Sequence, residues 1–286
     1  MSESLPADRS RKSSANSGRR SGIGTRDIAP KDNRNGRASV DGWSINLATE
    51  TATIEAIVEA AKAARPFTCF TLNLDHLVWL RRSLPFQKAY RRATFVTADG
   101  APIALIARRQ WASVERTAGS DLFVPLCEAA AWNDIPVYLF GSSQDTLSTA
   151  RKHLLAQTGG RLRLVGMEAP PHGFEPNSAA AQAAIRRIER SGARLCFVML
   201  GAPKQELFSA RAIEMGVNCG FVCVGAAGDF ISGQQVRAPQ MMRGTGTEWL
   251  WRLARNPRRL GTRYLRCALL LARLELGYRV GALASK

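Results

Sequence analysis

Histidine is scarce in this 286-residue chain: His76, His153 and His172 are all it has. The six cysteines (Cys69, Cys127, Cys196, Cys219, Cys223 and Cys267) form no Cys-x-x-Cys pair. The two shortages argue against a zinc site and against a disulfide framework. Most of the cysteines lie in apolar runs and read as buried free thiols of a reducing cytoplasm. There is no Gly-x-Gly-x-x-Gly, so a dinucleotide fingerprint is missing. There is no Asp-x-Asp either, the pair with which many enzymes hold a divalent metal on a diphosphate. No N-terminal apolar stretch resembles a signal peptide. Towards the C-terminus no uncharged run after Pro257 is longer than Cys267 to Ala272, far below the roughly 20 residues of a membrane span.

Acidic residues are also short: 23 against 40 Lys and Arg, a formal net charge of +17. The excess is uneven, with a net +5 over residues 1–40, +8 over 241–286 and only +4 between them. An anionic partner is therefore implied at the two ends: nucleic acid, a membrane surface or a diphosphate. Residues 1–40 are rich in Ser, Arg, Gly and Asn. They hold too few large apolar residues to offset chain entropy and read as a disordered basic tail.

From about residue 43 the pattern becomes one of alternating elements. Strands are expected at Ile45–Leu47, Phe67–Leu74, Thr94–Thr97, Pro136–Phe140, Arg161–Gly166, 194–200 and 219–225. Helices are expected at Thr53–Ala64, Asp75–Arg92, Pro102–Arg109, Asp121–Trp132, Thr146–Gln157, Ser178–Ser191 and Glu206–Met215. That alternation implies an α/β fold with a mostly parallel sheet covered by helices on both faces, over residues 41–240. Residues 241–286 form an Arg-rich helical C-terminal appendage broken at Asn256-Pro257. Its apolar residues and regularly placed arginines suit a helix lying on a membrane or one packed on the core.

Four strand ends carry polar residues: Thr71 with Asn73, Asp99 with Gly100, Lys204 with Gln205, and Gly225 to Asp229. In a parallel sheet these ends face one crevice. Gly201-Ala202-Pro203-Lys204-Gln205-Glu206 follows an apolar strand and opens a helix, which is where open α/β folds hold anions. Pro203 fits a first helical turn. Asp99, between an apolar strand and a glycine, can project a carboxylate into the crevice as a base or be an ordinary Asp-Gly turn. The small residues from Gly225 let backbone N–H groups approach a phosphate or sugar. Thr117 to Asp121 reads as a capped helix start. Arg252, Arg255, Arg259 and Arg263 lie at helical spacings and can supply a diphosphate with forked donors, or simply form a solvated basic face.

These blocks together resemble the WecG/TagA/CpsF glycosyltransferases of bacterial surface-polysaccharide synthesis. The resemblance covers about residues 43–265. It rests on Thr71-Leu72-Asn73, Ala98-Asp99-Gly100, Arg116 with Ala118-Gly119-Ser120-Asp121, Gly141, the Gly201–Glu206 stretch, Gly225 to Phe230, Arg237-Ala238-Pro239, and Glu248-Trp249 with the arginines that follow. Leu72 stands where the family usually has Pro. The resemblance implies a Rossmann-like α/β fold and an inverting transfer from a UDP-sugar to an undecaprenyl-diphosphate-linked sugar, with no metal and no cofactor. It makes Asp99 the general base and Thr71, Asn73 and Gln205 pocket residues. Gly100, Arg116, Asp121, Gly201, Lys204, Glu206, Gly225 and Asp229 join them as substrate-binding candidates, and the C-terminal arginines close over the site to neutralise departing UDP. It also suggests contact with the inner leaflet, as a peripheral protein of the cytoplasmic side.

Two other classes stay on the table. A basic nucleic-acid-associated protein fits the charge, but the aromatic-plus-basic strands of an RNA-binding sheet are missing. An NAD-type oxidoreductase fits the crevice, but not the missing glycine fingerprint. The donor sugar (N-acetylmannosamine, its uronic acid or glucose) and homo-oligomer formation are open.

Overall fold

The computed structural model describes residues 37–233, 239, 242 and 248–284, without the side chains of Arg252, Arg259 and residues 279–284. Most of the expected basic tail, together with Arg237-Ala238, lies outside the described residues.

Six parallel strands form the central sheet: β3 (Phe67–Leu72), β4 (Phe95–Ala98), β5 (Val137–Gly141), β6 (Leu164–Glu168), β7 (Leu195–Met199) and β8 (Gly220–Cys223), in the order β4-β3-β8-β7-β5-β6. Successive side chains of a strand point to opposite faces, and here both faces are dry. Leu195, Phe197 and Met199 of β7 join a core with α1 (Glu50–Lys62), α5 (Gly119–Trp132) and α6 (Gln144–Gln157). Cys196 and Val198, between them, face α7 (Ala179–Arg190) and α8 (Lys204–Glu214) on the other side. On that second side Phe70 and Leu72 of β3 pack under α2 (Leu74–Leu80), α3 (Leu84–Arg91) and α4 (Ala101–Arg108). The fold is therefore α/β and Rossmann-like.

Three local expectations are corrected. Residues 38–40, counted with the tail, form β1 (Ala38–Val40), which pairs antiparallel with β2 (Trp43–Ile45). The strand expected at Ile45–Leu47 is thus displaced toward Trp43; Asn46 and Leu47 instead turn to donate their N–H groups to the carbonyl of Val96 on edge strand β4. The single helix expected over Asp75–Arg92 is two, α2 and α3. Ser83 breaks it: its hydroxyl accepts from the N–H of Phe86 at 3.3 Å, and Pro85 sits in the new first turn.

After α9 (Ala227–Ile231) the described chain resumes with a helix at Glu248–Arg255, breaks at Asn256, and ends in the helix Pro257–Ala284. The latter lies along α2 and contributes Cys267 and Leu270 to the core, each 6% exposed. Arg109, the C-cap of α4, pairs with Glu275 at 3.0 Å and lies over the ring of Tyr278. Among the described residues no helix is long and apolar enough to cross a membrane.

Candidate active site

A cleft of about 810 Å³ opens at the carboxyl ends of β3, β4, β7 and β8. Its lining draws on Thr71, Asn73, Asp99, Gly100, Arg116, Gly201, Gln205, Gly225 and Asp229 from the sheet side. Arg255 and Arg263 come to the same cleft from the two C-terminal helices, along with Trp249, Trp251 and Tyr264.

Helix starts in this fold are of two kinds, and both occur at the cleft, where Asn73 caps α2. Thr49, Asn73, Ser83, Ser143 and Ser178 each cap a helix by accepting from a backbone N–H. The helices α4, α5 and α8 begin at Gly100, Ala118 and Pro203 with no side-chain cap. The cleft is lined by Gly100 to Pro102, by Ala118 to Ser120, and by Gln205 of the first turn of α8 with Gly201 and Ala202 just before that helix. Helix starts without a side-chain cap, their positive dipole ends toward the cleft, suit an anionic ligand with several acceptor atoms; α9 at Ala226 is a further such start. The capped start expected at Thr117 is therefore not found: Thr117 is buried and its N–H reaches back to the carbonyl of Ala98. Gly119 is needed at the start of α5 because a Cβ there would lie 2.5 Å from the carbonyl oxygen of Cys223.

Asp99 is half-buried, on the turn between β4 and α4, and it faces the cleft. The side chain of Asn73 donates to its Oδ2 at 3.2 Å. The other end of the Asn73 amide caps α2 by accepting from the N–H of His76 at 2.9 Å. The amide thus cannot flip without losing both contacts, and it holds the carboxylate in place from the next strand.

Beneath the floor lies a buried chain of polar groups. Gln205 donates to Glu206 Oε1 at 2.8 Å and accepts the N–H of Gly225 at 3.0 Å. Glu206 Oε1 is 3.6 Å from His76 Nε2, and His76 Nδ1 is 2.6 Å from the Tyr90 hydroxyl. Burial pushes the Glu206 carboxyl up to about 7 and the His76 imidazole down to about 3. His76 is consequently neutral through the working range. Gly225, with φ +56, adopts a left-handed turn that aims its N–H at Gln205. That N–H, expected to approach a ligand, is already engaged.

Other expected site residues are placed differently. Lys204 does not line the cleft: its ammonium donates to the carbonyl of Phe174 at 2.7 Å and pairs with Glu175 at 2.8 Å. Glu206 lies behind the wall rather than on it, fully buried. Asp121 is also outside the lining and holds Arg116, which is in it, at 2.7 Å. Asp229 lines the cleft and accepts from the Ser142 hydroxyl at 2.8 Å. Ser142 itself has the unusual φ of +55 for a residue other than glycine. The side chains of Arg252 and Arg259 lie outside the described residues. Arg255 lies over the Trp251 ring at 5.0 Å, and Trp249 contacts Tyr264 at 5.8 Å between ring centroids.

Residues 38–283 match the model of the glycosyl transferase WecG/TagA/CpsF family. The chain belongs to that family. It is a glycosyltransferase of cell-surface polysaccharide synthesis. The family match spans both the sheet-side and the helical wall of the cleft.

Sequence reasoning missed Asp75, Ser142 and Tyr264 as lining residues and His76 with Tyr90 as the support below. Asp75 and His76 lay inside what reads as continuous helix, where no local pattern marks them. Ser142 follows Gly141 at a strand end, which was a usable signal.

Proposed function

We propose that the chain is an inverting, metal-independent glycosyltransferase that moves a sugar from a UDP-sugar to a polyprenyl-diphosphate-linked sugar. It works at the inner face of the cytoplasmic membrane, in exopolysaccharide or related cell-surface polysaccharide synthesis. The observation that carries this reading is a half-buried carboxylate, Asp99, fixed by Asn73 in the same cleft as Arg255 and Arg263. The acceptor hydroxyl oxygen attacks the anomeric carbon, forming the new glycosidic bond. The bond from that carbon to the β-phosphate oxygen breaks, and UDP leaves with its electron pair. The hydroxyl proton passes to Asp99.

Charge on the departing diphosphate is met by guanidinium groups and by the uncapped starts of α4, α5 and α8. The two C-terminal helices complete the wall of the site, so closing and opening them would govern entry of donor and acceptor. Membrane association has support in the helix Pro257–Ala284. Leu265, Leu269 and Leu276 fall on one stripe of it and are 60–65% exposed. Arg266 and Arg273 follow beside the stripe, a pattern suited to an anionic interface.

The test is Asp99→Asn assayed by UDP release with a lipid-diphosphate acceptor and a panel of UDP-sugars. The expected result is a fall in kcat of about 10²-fold or more, with the melting temperature unchanged. Full activity in that variant would remove Asp99 from the role. Release of UDP from none of the UDP-sugars by the wild type would remove the donor class.

A further inference from the structure

Asp75 lines the cleft and has no part in the reaction above. It stands in the first turn of α2, two residues beyond the Asn73 that holds Asp99. Its side chain is only 13% exposed, and its Oδ2 is 3.1 Å from Nη2 of Arg263, which is 46% exposed. Burial raises the Asp75 carboxyl above its ordinary range, and Arg263 is the first group that opposes the rise. The pair therefore joins a core helix to the C-terminal helix at the wall of the cleft. A guanidinium carries five N–H donors in one rigid plane. Asp75 engages one nitrogen of Arg263, which sets the plane and leaves the remaining donors to meet a ligand.

We propose that Asp75 is a positioning residue for the donor diphosphate, acting through Arg263. The proposal rests on the UDP-sugar reading above. Without Asp75 the arginine side chain is free to swing with solvent, and the forked contact to phosphate oxygens must be ordered at each binding event. The effect should fall on the diphosphate and spare the nucleoside.

The full chain is titrated with UDP and with uridine by calorimetry, as wild type, Asp75→Asn, Arg263→Gln and the double variant, with melting temperatures recorded. Each single variant is expected to weaken UDP roughly 10-fold, the size of one charge-assisted hydrogen bond. Uridine affinity should be unchanged, and the double variant should be no worse than the weaker single one. Asp75→Glu should recover part of the loss. Unchanged UDP affinity in Asp75→Asn, tighter binding, multiplied losses in the double variant, or an equal loss for uridine would each overturn the proposal. If Asp75→Asn does not fold, Arg263→Lys carries the test, because it keeps the charge and removes the fork: an unchanged UDP affinity there refutes the proposal. A wild type that does not bind UDP overturns the donor reading itself, and this inference with it.

Discussion

Replacing Glu206 by Gln should change how stability depends on pH, and the change can be worked out from the buried chain below the cleft floor. The folded Glu206 carboxyl is held at about 7, against 4.5 when exposed. A raised folded value means that stability is fully present below the unfolded value and is lost as pH rises through the folded one. Between pH 4.5 and 7 the wild type thus loses up to about 3 kcal/mol from this group. His76 acts in the opposite sense, since its folded value falls to about 3 from 6.5. Its contribution is present above pH 6.5 and fades as pH falls toward 3. From pH 4.5 to 6.5 the two slopes oppose each other and nearly cancel. Glu206→Gln removes one of them and exposes the other. Urea unfolding of both chains at pH 5 and pH 8 gives the comparison, and titrating groups remote from Glu206 drop out of the difference. The variant should gain at least about 2 kcal/mol on the wild type between those two pH values. Parallel stability curves for the two chains would refute the assignment of a neutral, buried Glu206 at acid pH.

Gly119→Ala should cost about 1–3 kcal/mol in urea unfolding with an unchanged m-value, because the added Cβ meets the backbone of Cys223 and Val224, which has no room to yield. Transfer assayed in excess EDTA should keep its full rate, and loss of activity restored by magnesium would contradict neutralisation by arginine. Serine at both Leu265 and Leu269 should lower partitioning onto vesicles with anionic lipid by about 10-fold or more without changing the melting temperature. Unaltered partitioning would place the membrane contact elsewhere.

Much of the architecture was legible because strands buried on both faces leave apolar runs that local reading detects. Phe67 to Leu72 and Leu195 to Met199 are such runs, buried throughout. Their carboxyl ends also marked the cleft, since a parallel sheet gathers those ends by topology. What local reading could not settle was where a side chain goes after leaving the backbone. Lys204 stands beside Gln205 in sequence, yet one turns to Glu175 and the other to Gly225. That choice depends on the loop before α7, which is about 30 residues distant in sequence. Asp75 was hidden for a related reason: its partner Arg263 lies nearly 190 residues away, on the last helix. The split between α2 and α3 was foreseeable, because Ser83 and Pro85 carry the signals of a new helix start.

The unguarded beginnings of α4, α5 and α8 have a thermodynamic corollary. A serine or aspartate at such a position is commonly worth about 1 kcal/mol, so the chain forgoes that stability at these starts around one cavity. An occupant whose oxygens fill those places returns it, which ties the melting point to occupancy. Mutations that raise stability by supplying those oxygens, at Ala118 for instance, would be selected in a screen for heat resistance and would compete with an anionic ligand at the same helix starts.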